Sequence, residues 1–302
     1  MKSNRLTKRK RIKVSKVVIY LILIGCAFVT LFPFWYLLVA SVTSGSTFYA
    51  NGGIMLWPKG LDFSAYAYMF SKGWKSPIID GYKTTILITV LGTAISMVLS
   101  TTLAYALSRR NLPGKNAMMM LVFFTTIFSS GLIPSYLLVN ALKLNNKLWA
   151  YIIPNAVNAF NVIVMRNFFQ SIPYELEEAA KIDGASDIAV FVKVILPMSA
   201  AGLATIGLFY AVAYWNEWFT AVLYIRKQSL WPLQMFMRQI LIESDISSME
   251  NHAIIETMQT APPPTISVKG ATTIATSLPI LALYPFLQKY FVKGMTMGSL
   301  KG

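Results

Sequence analysis

Long apolar runs alternate with short polar segments along this chain. A helix needs about 20 mostly apolar residues to cross a bilayer core that is about 30 Å thick. Six runs approach or exceed this length: Val17–Ser41, Thr84–Leu107, Ala117–Val139, Leu148–Met165, Pro197–Tyr224 and Ala271–Val292. The pattern predicts an all-α integral membrane protein with a six-span domain in residues 17–293, an N-terminal arm in 1–16 and a tail in 294–302.

Composition and charge support this class and indicate an orientation. The 302 residues are 55% hydrophobic, and eight of the 27 lysines and arginines precede Val17. A basic arm beside an apolar run is typical of a cytoplasmic flank that faces anionic lipid, so we expect contact with membrane lipid and no nucleic acid. The first run is longer than the roughly 7–15 residues of a signal-peptide core, so it is predicted to remain. Because six is an even number of spans, both termini are expected on the same side of the membrane. The basic arm indicates that this side is the cytoplasm.

The connections between the spans differ in length and charge. Two long ones, 42–83 and 225–269, are predicted to be outer loops, the first of them broken up by residues such as Pro77. The segment Tyr174–Pro197 is different, because it holds five of the twelve acids in the chain. It lies on the cytoplasmic side of the predicted topology.

Local signals divide this acidic segment into two short helices. Pro173 suits the first turn of a helix, and Gly184 is placed to end it. Ser186 can cap a second helix. Leu196 precedes a proline and is disfavoured in the helical region, so the fifth span is expected to leave at an angle there. An ordinary loop that lies on the lipid head groups is the alternative.

Several kinds of chemistry are missing from the chain. No glycine begins the sequence G-x-x-x-x-G-K-[ST] that cradles phosphates, so any ATP has to be hydrolysed by another protein. His252 is the only histidine and lacks partners at metal-ligand spacing, which predicts a solvated residue, no metal site and no catalytic triad. Cys26 is the only cysteine. It lies in the first span, where we expect it to pack.

The acidic segment resembles a known family. Glu178, Ala179, Ala180, Gly184, Val194, Leu196 and Pro197 match the signature E-A-A-x3-G-x9-I-x-L-P, with valine in place of isoleucine. This signature is typical of permease subunits of binding-protein-dependent ABC importers. The stretches Arg166–Pro173, Lys181–Ser186 and Trp215–Phe219 resemble the carbohydrate (maltose-permease-like) branch. Ser130–Leu138, Pro232–Gln234 with Arg238, and Leu278–Gly302 are similar to its polysaccharide and oligosaccharide sub-branch.

The resemblance implies a type I permease fold in a bacterial cytoplasmic membrane. Residues 171–197 would then form a pair of coupling helices in a cleft of an ATPase dimer, and ATP and Mg would bind there, not to this chain. The other implied partners are a second permease subunit, an extracytoplasmic solute-binding protein and a carbohydrate. The implied ATPase-coupling residues are Glu178, Ala179, Ala180, Asp183, Gly184, Leu196 and Pro197.

Two stretches are candidates for a substrate path, because aromatic faces and amide side chains suit sugars. Asn155, Asn158 and Asn161 recur every three residues in the fourth span, where they either line a polar cavity or bond neighbouring helices. In the fifth span the candidates are Tyr210, Tyr214, Asn216 and Glu217. An interfacial aromatic belt is the alternative for the outer part of that stretch.

These observations together predict a transport subunit that moves an oligosaccharide by alternating access, driven by a separate ATPase. The first alternative is an ion-coupled secondary sugar transporter. It is disfavoured because Glu217 stands alone among the spans, with no set of ionisable residues for a relay. A membrane-embedded enzyme is disfavoured by the lack of a catalytic constellation.

Overall fold

The computed structural model describes residues 14–70, 76–250 and 266–282, and every regular element among them is helical. In chain order the α-helices are α1 Val14–Ser41, α2 Gly45–Ala50, α3 Ser64–Met69, α4 Pro77–Ser108, α5 Lys115–Ile127, α6 Leu132–Ala141, α7 Trp149–Ile152, α8 Ala159–Gln170, α9 Tyr174–Ile182, α10 Asp187–Val190, α11 Leu196–Met198, α12 Ala200–Trp215, α13 Phe219–Tyr224, α14 Leu233–Glu250 and α15 Ile266–Ala282. A π-helical turn, Phe191–Ile195, follows α10, and a 3₁₀ turn, Gln228–Leu230, precedes α14.

The chain divides into two units, residues 1–68 with 251–275, and residues 69–250 with 276–302. In the first unit the end of α1 packs on the short helices that follow it, around the buried side chain of Phe48. The Tyr36 hydroxyl donates a hydrogen bond to the Gly53 carbonyl at 2.8 Å. The second unit contains both the acidic segment and the substrate-path candidates.

Two helices are long and apolar enough to cross a membrane by themselves, α1 from Lys16 and α4. Both were predicted as spans. Helix α4 begins at Pro77, well before the predicted Thr84, because a proline at the first helical position has a favourable φ and needs no amide partner. Two bent helix pairs could add two more spans. The six-span count stays a prediction.

The third span is not the continuous helix that its apolar run predicts. Helices α5 and α6 are bent by 115° relative to each other. The break lies at Phe128–Gly131, where Phe128 is extended and Gly131 has a φ of 80°. An apolar run shows that a segment avoids water, but it does not show the direction in which the chain continues.

The fourth span is also broken. Helix α7 ends at Ile152, and α8 begins only at Ala159. Asn158 is the N-cap of α8, in an extended conformation, and its side-chain oxygen accepts a hydrogen bond from the Asn161 amide. The three asparagines therefore do not lie on one continuous helix. Asn155 lies in the turn that follows α7. Asparagine side chains bond the nearby backbone, which favours a break in the helix at this point.

The bend that precedes the fifth span is displaced from its predicted position. Leu196 has helical φ and ψ, and the segment Asp187–Met198 continues past Pro197 before an 83° bend leads into α12. The break occurs at Ser199. The π-helical turn immediately before Pro197 changes the hydrogen-bond register, which lets the helix tolerate a residue without an amide hydrogen. The prediction of a bend at Leu196 was wrong.

The second long loop holds more structure than its sequence suggested. Helix α14 lies within it and packs against α4. Helix α15 begins at Ile266, before the predicted Ala271. The remainder of the sixth span, most of the N-terminal arm, His252 and the C-terminal tail lie outside the described residues.

Helix α4 is the centre of the second unit, with α8, α12 and α14 packed around it. Its buried face carries small and hydroxyl residues, which allow neighbouring helices to come close. At Gly92, a Cβ atom would lie 2.7 Å from the ring of Tyr214. At Gly81, a Cβ atom would lie 2.8 Å from the ring of Phe236. Glycine at these two positions makes the helix contacts possible.

Candidate functional site

The first candidate site is the helix pair α9 and α10, which carries the acidic segment. Helix α9 ends in a left-handed glycine, Gly184, with a φ of 83°. The Gly184 amide donates to the Lys181 carbonyl at 3.0 Å, and the Ala185 amide donates to the Ala180 carbonyl at 2.9 Å. This is a Schellman motif. The Ser186 hydroxyl then accepts a hydrogen bond from the Ala189 amide and caps α10.

An ion network joins this helix pair to the end of α4. The guanidinium of Arg109, the C-cap of α4, donates to the carboxylate of Glu177 in α9. The Lys181 ammonium lies 3.4 Å from the second oxygen of Glu177 and 2.9 Å from Asp187 in α10. The hydrogen bond to Asp187 raises the pKa of Lys181, and the Glu177 carboxylate also favours its charged form. Lys181 is therefore a permanent cation at neutral pH.

Aromatic contacts hold the same elements together. The ring of Tyr105, in the last turns of α4, lies 4.4 Å from the ring of Phe191, just after α10. The Tyr105 hydroxyl donates to the Asp187 carbonyl at 3.3 Å. The Arg109 guanidinium lies 4.3 Å from the centre of the Tyr105 ring. Both helices of the pair therefore contact the end of α4 directly.

The outward surface of the pair carries the signature residues. Glu178, Ala179, Asp183, Gly184 and Pro197 are exposed, whereas Ala180 and Leu196 are half-buried. Two isoleucines on the same helix pair are also highly exposed, Ile182 with 85% and Ile188 with 77% of its surface accessible to solvent. An exposed surface with both isoleucines and acids is suited to contact with another protein.

The sequence did not single out the residues that anchor this surface. Glu177 adjoins the signature glutamate, but it is buried, with 5% of its surface exposed. Its partner Arg109 was not among the predicted site residues. The one signal available was a pair of adjacent glutamates on a short amphipathic helix, where successive side chains point about 100° apart and one of the two can face inward.

The second candidate site is a cavity of about 210 Å³ between the break that precedes α8 and the C-terminal half of α12. Most of the predicted substrate-path residues line it, namely Asn155, Asn158, Tyr210, Tyr214 and Glu217, together with Asn161. Asn216 is not among the lining residues. Its side-chain amide donates to the Val212 carbonyl of its own helix.

The two tyrosines use their hydroxyl groups for packing, and only their rings remain for the cavity. The Tyr210 and Ser100 hydroxyls are 2.6 Å apart, and Tyr210 also accepts a hydrogen bond of 2.9 Å from the Asn158 amide. The Tyr214 and Ser96 hydroxyls are 3.0 Å apart. Tyr210 thereby joins α4, α12 and the start of α8.

Glu217 lies at the break between α12 and α13. One of its carboxylate oxygens accepts a hydrogen bond of 2.9 Å from the Thr220 amide and satisfies a free donor at the start of α13. No second partner is present for this side chain among the described residues. Within those residues there is also no cluster of three histidine, cysteine or acidic side chains that could hold a metal ion.

Comparison with known proteins agrees with this geometry. Residues 97–297 match the family described as binding-protein-dependent transport system inner membrane component. The protein LplC of Bacillus subtilis (strain 168) is 44% identical over 278 residues, 92% of each chain. The polygalacturonan/rhamnogalacturonan transport system permease protein YtcP of the same organism is 42% identical over 288 residues, 95% of this chain and 98% of its own.

A solved structure is similar as well. A chain from a bacterial ABC transporter involved in the import of the acidic polysaccharide alginate is 30% identical, with a TM-score of 0.83, over 96% of this chain and 100% of that chain. The helical fold and the exposed helix pair thus define a membrane transport subunit. The chain belongs to the family of inner membrane components of binding-protein-dependent transport systems, and it is an ABC transporter permease.

Proposed function

We propose that this permease imports an oligosaccharide across a bacterial cytoplasmic membrane. It works with a second permease subunit, an ATPase dimer that binds ATP and Mg, and an extracytoplasmic solute-binding protein. Its six spans alternate between outward and inward access, and both termini lie in the cytoplasm. The transport roles of the similar protein YtcP and of the alginate importer support a saccharide as the substrate class.

The coupling surface is formed by α9 and α10. The observation that carries this assignment is the exposed E-A-A signature on a helix pair whose buried side is bonded to the end of α4 through Arg109 and Glu177. When the ATPase closes on the exposed side, the ion pair transmits the displacement to the longest described helix. Glu178, with its carboxylate in solvent, meets a basic group of the ATPase.

Further signature residues have defined places in this proposal. Ala179 and Ala180 allow close approach of the ATPase, because they present little side chain. Asp183 and Gly184 form the turn at the tip of the surface, and Leu196 with Pro197 carries it toward the bend at Ser199. The substrate path runs past Asn155, Asn158, Tyr210, Tyr214 and Glu217, and Asn216 lies at its outer end.

Uptake into vesicles tests this function. The assembled importer is reconstituted in vesicles with or without enclosed ATP, and a panel of saccharides is added outside with the solute-binding protein. Uptake that requires ATP, and that falls at least about tenfold when Glu178→Lys opposes a basic ATPase group, is the expected result. Uptake driven by an ion gradient without an ATPase subunit would contradict it, and would favour a secondary transporter.

A further inference from the structure

Three cations near the end of α4 have no carboxylate partner. Arg110 follows α4, Lys115 begins α5, and Arg166 lies in α8. None of them forms an ion pair within the described part of the chain. Lys115 is close enough to Arg166, Arg109 and Arg110 for their charges to repel its own. Such a cluster is stabilised when an anion binds among its members.

Two of these cations are held in place by contacts that do not neutralise them. The Arg166 Nε donates a hydrogen bond of 3.0 Å to the Leu107 carbonyl, in the last turn of α4. The Arg110 guanidinium lies 4.6 Å from the centre of the Tyr174 ring, at the start of α9. A cation that is already fixed loses less side-chain freedom when an anion binds, which favours binding.

Arg110 also borders two cavities, of about 230 and 360 Å³, on either side of the ion pair between Arg109 and Glu177. Arg110 and Tyr174 line both of them. The carboxylates that line the cavities are already in ion pairs. Among the cations that line them, Arg110 is the one without a carboxylate partner in the described residues. The larger cavity has room for a phosphate with a small polar group.

The cations lie at the ends of apolar segments. Helix α4, which is long and apolar enough to cross a membrane, ends at Ser108, two positions before Arg110. The predicted third span begins just after Lys115, and the predicted fourth span ends just before Arg166. Basic side chains at such positions lie at the level of the lipid head groups. The anion available there is a lipid phosphate.

The surface that continues from the cations suits an acyl chain. Helix α5 begins with Lys115 and has no buried residue. Met118 and Leu121 are 41% and 67% exposed, and their spacing of three makes them neighbours on the helix surface. An apolar strip that begins at a cationic cluster matches a phospholipid, which has a charged head and an apolar chain. A soluble phosphate would use the cations but not the strip.

We propose that the turn between α4 and α5 binds one anionic phospholipid of the cytoplasmic leaflet, with its phosphate among Arg110, Lys115 and Arg166 and an acyl chain along Met118 and Leu121. The proposal rests on the orientation proposed above and goes beyond it, because it adds a ligand that is not transported. The bound head group lies next to α9, and therefore next to the coupling surface.

Photocrosslinking in the complete importer tests this site. The importer is reconstituted in phosphatidylcholine vesicles with a small fraction of phosphatidylglycerol that carries a diazirine on its acyl chain. After irradiation, labelled peptides are identified by mass spectrometry. The phosphatidylglycerol probe is expected to label α5. The same diazirine on phosphatidylcholine is expected to label it at least about fivefold less, because each cation near an anionic membrane surface favours binding by about that factor.

Arg110→Gln removes one positive charge from an exposed position. It is expected to lower labelling of α5 by the phosphatidylglycerol probe by about fivefold, whereas Arg110→Lys, which keeps the charge, is expected to retain most of it. The double variant Arg110→Gln/Lys115→Gln is expected to lose the preference for phosphatidylglycerol. These variants separate the charge of Arg110 from its contact with the Tyr174 ring.

Lys193→Gln is the matched control. Lys193 is exposed on the same predicted side of the membrane and lines neither cavity. Labelling in this variant is expected to stay within about twofold of the wild type, because salt screens an exposed charge that does not contact the head group. An equal loss in Lys193→Gln and Arg110→Gln would indicate general attraction to the membrane and would overturn the site.

A competition experiment distinguishes the two sources of phosphate. An excess of glycerol 3-phosphate is expected to leave labelling unchanged, because it lacks the acyl chain. Displacement of the probe by glycerol 3-phosphate would overturn the lipid as the ligand in favour of a soluble phosphate. Absence of α5 labelling would show that another subunit covers this helix, and it would also overturn the proposal.

ATP-driven uptake in the same vesicles separates the lipid site from the proposed function. Vesicles that import saccharide with ATP but show no preference of α5 for phosphatidylglycerol would refute the lipid site alone. The expected labelling together with uptake that needs no ATPase would refute the proposed function and leave the lipid site standing.

Discussion

Arg109 at the end of α4 and Glu177 in α9 form an ion pair that is largely removed from solvent, with 22% of the arginine and 6% of the glutamate side chain exposed. Removing one partner of a buried pair leaves an uncompensated charge and commonly costs about 3–5 kcal/mol. This ion pair therefore ties the position of α9 strongly to α4.

Replacing the buried acid tests that role. We expect Glu177→Gln to lower the thermal unfolding temperature of the purified complex, and to raise the number of ATP molecules hydrolysed per saccharide imported, because α9 loses its connection to α4. The matched control is Asp80→Asn, which breaks an exposed pair with Lys83 whose side chains are 37% and 57% exposed. An exposed pair contributes about 0–1 kcal/mol, so little change is expected. Equal effects of both variants would contradict the prediction.

The left-handed turn at Gly184 gives a second prediction. Gly184→Ala should cost about 1–2 kcal/mol locally, because an L-residue is strained at this φ, and should lower the ratio of transport to ATP hydrolysis. Gly60→Ala is a close control, since Gly60 has the same φ of 83° and equally open surroundings and is not part of α9, α10 or their turn. Coupling that falls in both variants, measured as ATP per saccharide, would show that strain alone is responsible.

Helix packing on α4 gives a third prediction. Gly92→Ala should destabilise the complex by about 1–3 kcal/mol, because the new Cβ atom would overlap the Tyr214 ring at 2.7 Å. Gly207→Ala in α12 serves as the control, because its nearest neighbour is the Met97 sulfur at 3.8 Å, an ordinary contact. Thermal unfolding of both variants distinguishes them, and a Gly92→Ala complex as stable as Gly207→Ala would be inconsistent with close packing here.

The two tyrosines of α12 give a fourth prediction, because their hydroxyls differ in the number of bonds that they make. Tyr210→Phe leaves Ser100 and the Asn158 amide without a partner, and should cost about 1–3 kcal/mol. Tyr214→Phe removes only the bond to Ser96 and should cost about 0.5–1.5 kcal/mol. Unfolding measurements check the order, and an equal or inverse ranking would argue against a junction at Tyr210.

The coupling helices were predictable because their signals are local. The turn at Gly184 and the cap at Ser186 depend on residues within four positions of each other, and the structure has both where the sequence predicts them. The bend before the fifth span was misplaced for the opposite reason. Its position at Ser199 depends on how a π-helical turn accommodates Pro197, and the sequence before a proline indicates only that some adjustment is needed.

The substrate-path candidates divide in the same way. Residue type alone indicated polar groups among apolar spans, and six of the seven candidates line one cavity. The three asparagines nevertheless do not share one helix, since Asn158 ends the break that precedes α8. Asn161 is buried whereas Asn155 and Asn158 are exposed, and burial depends on the helices packed around a residue.

By itself, the sequence determined that this chain lies in a membrane, that it carries a coupling signature, and where two short helices meet, because apolar length and glycine geometry act over a few turns. Only the tertiary structure decided that Glu177 turns inward while Glu178 faces solvent, that Arg109 is the partner of Glu177, and that the tyrosine hydroxyls are engaged with α4. These relationships join residues far apart in the chain, and a helix surface is assigned to a neighbour only when the helices have packed.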